Sequence, residues 1–500
     1  MPAARNPPDP SDDGQRLATG VESDPAAGVG HSGGSGEPPP GPGGVERAAS
    51  RALVLLVGGA CVLVPLVYWT KWSDVFAAVK LAALWAVFGT CLIALIVIII
   101  CRGVEGLTSR GPRLTNVALV AWIACNLAAF ALSIDQHQSL FGEHYWYQGL
   151  LTTLLYAGFF LIARSTFTTS TRLWWLAGGI AAGGTGVALV GLMQQFGFDP
   201  VFGIAPPGGR VFSTIGQPNS LAAYLVLTIA ITVAFTARPE PIVRIAALFA
   251  IGSMLVSLLL TDSRGAYLGL GVVMIFAAVA LAWVYRVRPA RILASLAVTS
   301  VLLITGYALV APLRTRLDRT WERAVSTTDT TTDGSNRDHL DLWHEGLRIS
   351  LDHPLLGTGQ ETFPEMFPTY ERDLPYLTIL YFNQYRVESP HNVYLAISAG
   401  TGFPALASYL TIICSFAFYM LRVARRLPRS ATKLLCVMIV AAVAGHLVTD
   451  LFMTADLTAS WLMWLLMGAG LGVATSTLNS ASTRSDSASH RATRQPNEAV

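Results

Sequence analysis

Three side chains stand where an otherwise apolar sequence changes character. Arg264 lies in LLLTDSRGAYLGL, where barely three polar residues separate two apolar runs, so its guanidinium is held at a membrane boundary. An ionisable residue at that depth predicts function; the plainer reading is an ion pair with Asp262 and a side chain that snorkels to the headgroups. His391 lies in SPHN, where a long polar stretch ends and an apolar run begins. Its imidazole has the pKa of a general base, although a histidine beside a helix start also serves as a cap or packing group. Arg337 opens the pattern RDHLDLWHEGLRISLDHP and, by composition alone, reads as a solvated charge. Guanidinium forks grip anionic oxygens in pairs, so the chemistry on offer is an anion hold beside a base. Arg210 in PPGGRVFSTIGQPN is a fourth cation, and with Asn392, next to His391, it completes the candidate binding set. Asn219, after Pro218, reads as the N-cap of the following helix.

These groups need a scaffold, and composition dictates its kind. The chain has 500 residues, 52% hydrophobic and 13% charged, against roughly 25% charged in a soluble domain, and its mean hydropathy is +0.50. A water-soluble globule is excluded. Twelve apolar segments (52–69, 75–101, 114–134, 148–165, 173–196, 220–237, 242–261, 265–285, 291–313, 392–421, 432–454 and 458–475) each approach the ~20 residues a bilayer requires. Lipid satisfies no backbone polar group, so these must be helices. The expected fold is an all-α polytopic membrane protein. Residues 1–48 and 476–500 are expected to be disordered cytoplasmic tails, 49–313 to hold spans one to nine, and 392–475 spans ten to twelve. The segment 314–391 is expected to form one large, partly helical periplasmic loop.

Fifteen Lys and Arg fall in one alternate set of loops, against Lys71, Arg210 and Arg264 in the short loops of the other. The positive-inside rule then predicts cytoplasmic termini and places Arg264 and His391 together on the outer face. Trp69, Trp72, Tyr145, Trp146, Tyr147, Trp174 and Trp175 lie near span ends, as an aromatic belt requires. Within the outer loop, Leu340, Trp343, Leu347 and Leu351 recur at helical spacing, and Ser335 with Asp338 makes an approximate capping box. The loop holds thirteen acidic residues against eight arginines, so an anion site there must use individually placed guanidiniums.

Other chemistries find little purchase. The net charge is only +3 and no basic stretch carries interleaved aromatics, so nucleic acid is not an expected partner. The six cysteines sit in or beside spans without a C-x-x-C pair, which leaves small apolar packing as their role. No D-x-D, H-E-x-x-H or P-loop appears, so neither a metal nor a cofactor is expected. His446 and Asp450, four apart, read as a polar pair within a span.

The order GRVFSTIGQPNSLAAYL, LTDSRGAYLGL, RDHLDLWHEGLRISLDHPLLGTG and HNVYLAISAGTGFPAL resembles the O-antigen ligase superfamily, over roughly residues 205–455. That superfamily also holds O-antigen polymerases and bacterial protein O-oligosaccharyltransferases. The resemblance implies a GT-C-like glycosyltransferase architecture in the bacterial inner membrane. It implies glycan transfer from an undecaprenyl-diphosphate carrier to an acceptor hydroxyl on lipid A core, another glycan or a protein, metal-independent and inverting. Arg264 matches the arginine of the S-R motif, Arg337 the arginine opening the loop helix, and His391 the histidine of H-N. The implied roles are stabilisation of the diphosphate by Arg264 and Arg337 and general-base action by His391. A twelve-span secondary transporter is the alternative from another class, but a carrier places its ionisable groups near the midplane, where Lys80 and His446 are the main candidates. No internal repeat supports duplicated halves.

Overall fold

A computed structural model of the chain describes residues 42–102, 112–203, 209–286, 288, 290, 334–371 and 387–492. The described residues are helical, without strands. The helices are α1 (Pro42–Leu66), α2 (Ala77–Arg102), α3 (Arg113–Ala131), the short α4 (Gln136–Phe141), α5 (Leu150–Thr166), α6 (Ser170–Gln195), α7 (Pro218–Val233), α8 (Pro241–Leu260) and α9 (Arg264–Tyr285). After them come α10 (Gly334–Asp352) and α11 (Phe363–Tyr370) of the loop, then α12 (Val393–Arg426), α13 (Ala431–Thr449) and α14 (Leu457–Ala492). Among the described residues nine helices are long and apolar enough to cross a membrane, and α5 and Arg264–Ala280 of α9 are shorter apolar helices. Together they account for eleven of the twelve expected spans, and the ninth, 291–313, lies outside the described residues. α1 begins inside the stretch 1–48 read as a tail, and α14 continues past residue 475.

The apolar stretch of α14 is wholly buried, and α7 and α13 are mostly so, while α2 is for the most part only half-buried. Three helices therefore form the centre and the others present apolar faces outward, as lipid requires. Helices approach closely where side chains vanish. A Cβ at Gly183 of α6 would lie 2.1 Å from the Cys61 carbonyl oxygen of α1, so this crossing is made backbone to backbone. Trp69, Trp72, Tyr145 and Trp175 are exposed near helix ends, where an aromatic belt would lie.

The loop helix α10 corrects the expected face. Leu340, Leu347 and Leu351 are exposed, whereas Leu342, Glu345, Ile349 and Ser350 are buried. The buried face meets α12 through small and polar groups. Gly346 lies against Pro390 and Leu395, and Ser350 Oγ pairs with Ser398 Oγ at 2.8 Å. Glu345 is buried with Arg348 Nη1 donating to it at 3.1 Å. Close approach and hydrogen bonding decide the face here, so hydropathy spacing misleads.

Candidate active site

Arg264 is set by a tight turn. Thr261 ends α8, Asp262 adopts a left-handed conformation (φ 56°), Ser263 is the N-cap, and Arg264 opens α9. Asp tolerates this region better than most residues. Arg210 braces the turn: its Nε donates to the Thr261 carbonyl at 2.7 Å and its Nη2 to Asn219 Oδ1 at 2.8 Å. Asn219 is therefore not the N-cap expected of it. Gln217 holds that position, without a side-chain cap bond, and Asn219 in the first turn of α7 is the partner of Arg210.

The loop carrying Arg210 is itself fixed from below. Lys80 Nζ donates to the Thr214 and Val67 carbonyls at 2.6 and 3.1 Å, Thr214 Oγ1 donates to the Pro65 carbonyl, and Gln194 Oε1 accepts from the amides of Phe212 and Ser213. Asp456 caps α14 through the amides of Thr458 and Ala459. Its carboxyl is raised by burial, against hydrogen bonds from Ala459 and Ser220 and the charge of Lys80. The GRVFSTIGQPN motif is thus largely a brace, and Lys80 points its ammonium to this end of the bundle rather than to the midplane. His446 Nε2 stands 3.5 Å from Asp450 Oδ1, the polar pair expected of them.

His391 lies just before the N-cap of α12, in a left-handed conformation (φ 48°). Its amide donates to Ser389 Oγ at 3.2 Å, its Nδ1 lies 3.1 Å from Thr454 Oγ1, and that hydroxyl also pairs with Ser389 Oγ. A base at Nε2 requires the tautomer in which Nδ1–H donates to Thr454 and Thr454 donates to Ser389, an arrangement these contacts accommodate. Asn392 caps α12, its Oδ1 accepting from the Tyr394 and Leu395 amides at 3.0 and 3.1 Å. Burial pushes the His391 imidazole down to about 4, helped by the neighbouring His339.

Sequence reasoning missed His339. Its ring lies 5.5 Å from that of His391 at 68°, and it is lowered by burial and then by the charge of Arg264. His339 on α10 thus stands between the influence of Arg264 on α9 and the ring of His391. Beside them Trp343 packs on Phe452 at 5.8 Å, and Phe452 lies against Gly265. Among the described residues, His339 Nδ1 and Trp343 Nε1 are buried without a hydrogen-bond partner, an arrangement that calls for an explanation in any folded protein. Arg337 lies in the first turn of α10, and its side chain, with those of Ser335 and Asp338, is outside the described residues. Thr454 carried no motif, and His339, although inside the pattern RDHLDLWHEGL, was given no role there.

The loop is stitched to α12 through main chain. Pro404 lacks an N–H and Gly402 (φ 82°) leaves the helical region, so α12 is broken there. The freed Ala399 and Gly400 carbonyls accept from the amides of Thr358 and Gly359 at 3.0 and 2.9 Å, and the Phe403 amide donates to Pro354 at 2.8 Å. The segment HPLLGTG and the segment SAGTGFP are therefore two halves of one joint. A Cβ on Gly357 (φ 65°) would lie 2.3 Å from the Gly400 carbonyl carbon. On its other side this strap meets α3 and α4, where Ile134 donates to Thr358 and Gln360 Nε2 to Asn126. Glu361 follows in a left-handed conformation. Burial pushes its carboxyl up to about 8, against a backbone hydrogen bond from Glu143 and with help from the charges of Glu143, Glu388 and Glu365.

Residues 249–410 match the family model described as O-Antigen ligase (Wzy_C). The match bears out the resemblance to the O-antigen ligase superfamily over that stretch, which runs from within α8 to within α12 and is shorter than the 205–455 expected. It contains Arg264, Arg337, His339 and His391. No curated protein matches the sequence. The chain is accordingly a multi-pass membrane protein carrying a domain similar to the ligases and polymerases of lipid-linked glycans.

Proposed function

We propose that this chain is a glycosyltransferase that moves a glycan from an undecaprenyl-diphosphate carrier to an acceptor hydroxyl at the outer face of the inner membrane. The observation that carries the reading is the convergence of Arg264, His339 and His391 from three elements of the family-matched segment. A diphosphate leaving group gathers negative charge as the anomeric bond breaks, and a preorganised guanidinium there is worth about 3–4 kcal/mol where such donors have been removed. Arg264 supplies that charge, with Arg337 assigned beside it from the family motif. His339 Nδ1 and Trp343 Nε1 are suited to donate to the diphosphate or to sugar oxygens. His391 Nε2 accepts the proton of the acceptor hydroxyl, a contribution of about 10²–10⁴-fold, and direct displacement inverts the anomeric centre. The imidazole is neutral in the resting protein, and the charge of the donor raises its basicity when needed. Arg210 and Asn392 hold backbone, so their part is to position Arg264 and His391.

Lipid A core is the acceptor assigned here, and a second lipid-linked glycan or a protein hydroxyl are the other acceptors of the same chemistry. The test is glycan attachment by His391→Ala and Arg264→Ala in cells lacking the native gene. Both variants should insert normally and lose transfer, with intact lipid-linked glycan accumulating. Normal transfer by either variant sinks the assignment of that residue.

A further inference from the structure

At the end of the bundle opposite the Arg264–His391 cluster, α1, α2 and the junction of α5 with α6 enclose a cavity of about 420 Å³. Its lining divides chemically. Arg47, Arg51 and Arg172 stand with Ser50 and Thr168 on the polar part, and Leu53, Leu95 and Ile98 form an apolar wall. Arg172 Nη1 donates to the Thr166 carbonyl at 2.8 Å, which fixes that guanidinium beside the end of α5. Glu46, buried, is the one carboxylate in the lining, so three guanidiniums outweigh it. A second observation is independent of the charges. Thr166 is only 3% exposed and lines the cavity, yet among the described residues its Oγ1 has no hydrogen-bond partner.

We propose that this cavity binds the phosphodiester headgroup of an anionic glycerophospholipid. Guanidinium forks match phosphate oxygens in pairs, and the Thr166 hydroxyl donates to a further phosphate oxygen, which satisfies it. The remaining net positive charge favours a lipid whose headgroup adds no cation of its own. The Leu53, Leu95 and Ile98 wall gives the acyl chains a path, which a free phosphate would not need. Basic recesses between transmembrane helices are a recurring form of headgroup site on the cytoplasmic side, and the Lys and Arg asymmetry of the loops predicts that this end faces that leaflet. The site is separate from the transfer chemistry and stands whatever the acceptor.

The full-length chain, in detergent, is titrated with phosphatidylglycerol or phosphatidylcholine and followed by native mass spectrometry. Wild type should retain one phosphatidylglycerol at least about fivefold more tightly than phosphatidylcholine. Arg51→Gln should weaken phosphatidylglycerol about fivefold, the worth of one basic residue near a headgroup, and raised salt should weaken it further. Arg51 is exposed, so this change leaves the fold intact. Thr166→Val, which keeps the volume and removes the hydroxyl, should weaken the same lipid without altering phosphatidylcholine. Equal retention of the two lipids, or of phosphatidylglycerol by wild type and both variants, overturns the proposal. Displacement of the lipid by millimolar inorganic phosphate overturns its lipid assignment and leaves a free-anion pocket.

Discussion

Replacing Thr454 with valine probes the base directly, because it removes one hydroxyl and keeps the shape. Thr454 is 5% exposed and its Oγ1 lies 3.1 Å from His391 Nδ1. Without it the Nδ1–H tautomer leaves a buried donor unpaired, which costs about 1–3 kcal/mol. The imidazole escapes that cost by moving its proton to Nε2, the nitrogen that accepts from the acceptor hydroxyl in the proposed mechanism. A bias of about 2 kcal/mol reduces the competent tautomer roughly 30-fold. The assay is the initial rate of transfer by purified protein with a lipid-linked glycan donor. Thr454→Val should lower kcat about 30-fold with little change in KM for the donor, and Thr454→Ser should recover most of it. The pH profile adds a readout that mere loosening would not reproduce. Since burial holds His391 at about 4, its lone pair is present above that pH and is lost as pH falls through it. The acid limb of kcat/KM should lie there, and that of kcat higher, because bound diphosphate favours the imidazolium. Wild-type kcat in Thr454→Val, or an equal loss in Thr454→Ser, refutes the tautomer reasoning.

Glu361→Gln tests the raised carboxyl: a group lifted from 4.5 to about 8 contributes stability fully below 4.5 that is lost as pH rises through 8. The unfolding temperature of wild type should therefore fall between pH 5 and pH 9 more than that of the variant, and parallel curves would count against it. Gly357→Ala places a Cβ against Gly400 at a positive φ, which with two loosened main-chain bonds costs roughly 3 kcal/mol; hydrogen exchange at the Thr358 and Gly359 amides should quicken about a hundredfold, and unchanged exchange would deny the joint. Transfer should persist in a strong chelator if guanidinium charge supplies the stabilisation, as proposed, and its abolition with recovery on adding a divalent cation would replace that part of the mechanism.

The membrane elements were legible because apolar runs of bilayer length have one structural solution, so α1 to α3, α5 to α9 and α12 to α14 fall on segments read from composition, whereas the short α4 does not. The face of α10 was not legible, since Gly346, Ser350 and Glu345 pack by close approach and hydrogen bonding while the leucines Leu340, Leu347 and Leu351 stand outside. Arg264 and His391 announced themselves as polar residues at span edges. His339 and Thr454 did not, because their meaning lies in contacts across 52 and 63 residues of chain. Asn219 was misread because a capping residue type sat two places beyond the cap, and its true partner, Arg210, approaches from outside the helix.

The joint between the strap and the broken α12 consists of amides and carbonyls, and such groups are common to every amino acid. Side chains that point outward from the strap, Leu355 among them, are thereby released from holding the cover in place. Under the proposed function they are open to tailoring for differently shaped saccharides, while the close approach of Gly357 to Gly400 stays fixed. Grafting that strap's outer residues from one relative to another should transfer preference for a sugar without disturbing the machinery beneath.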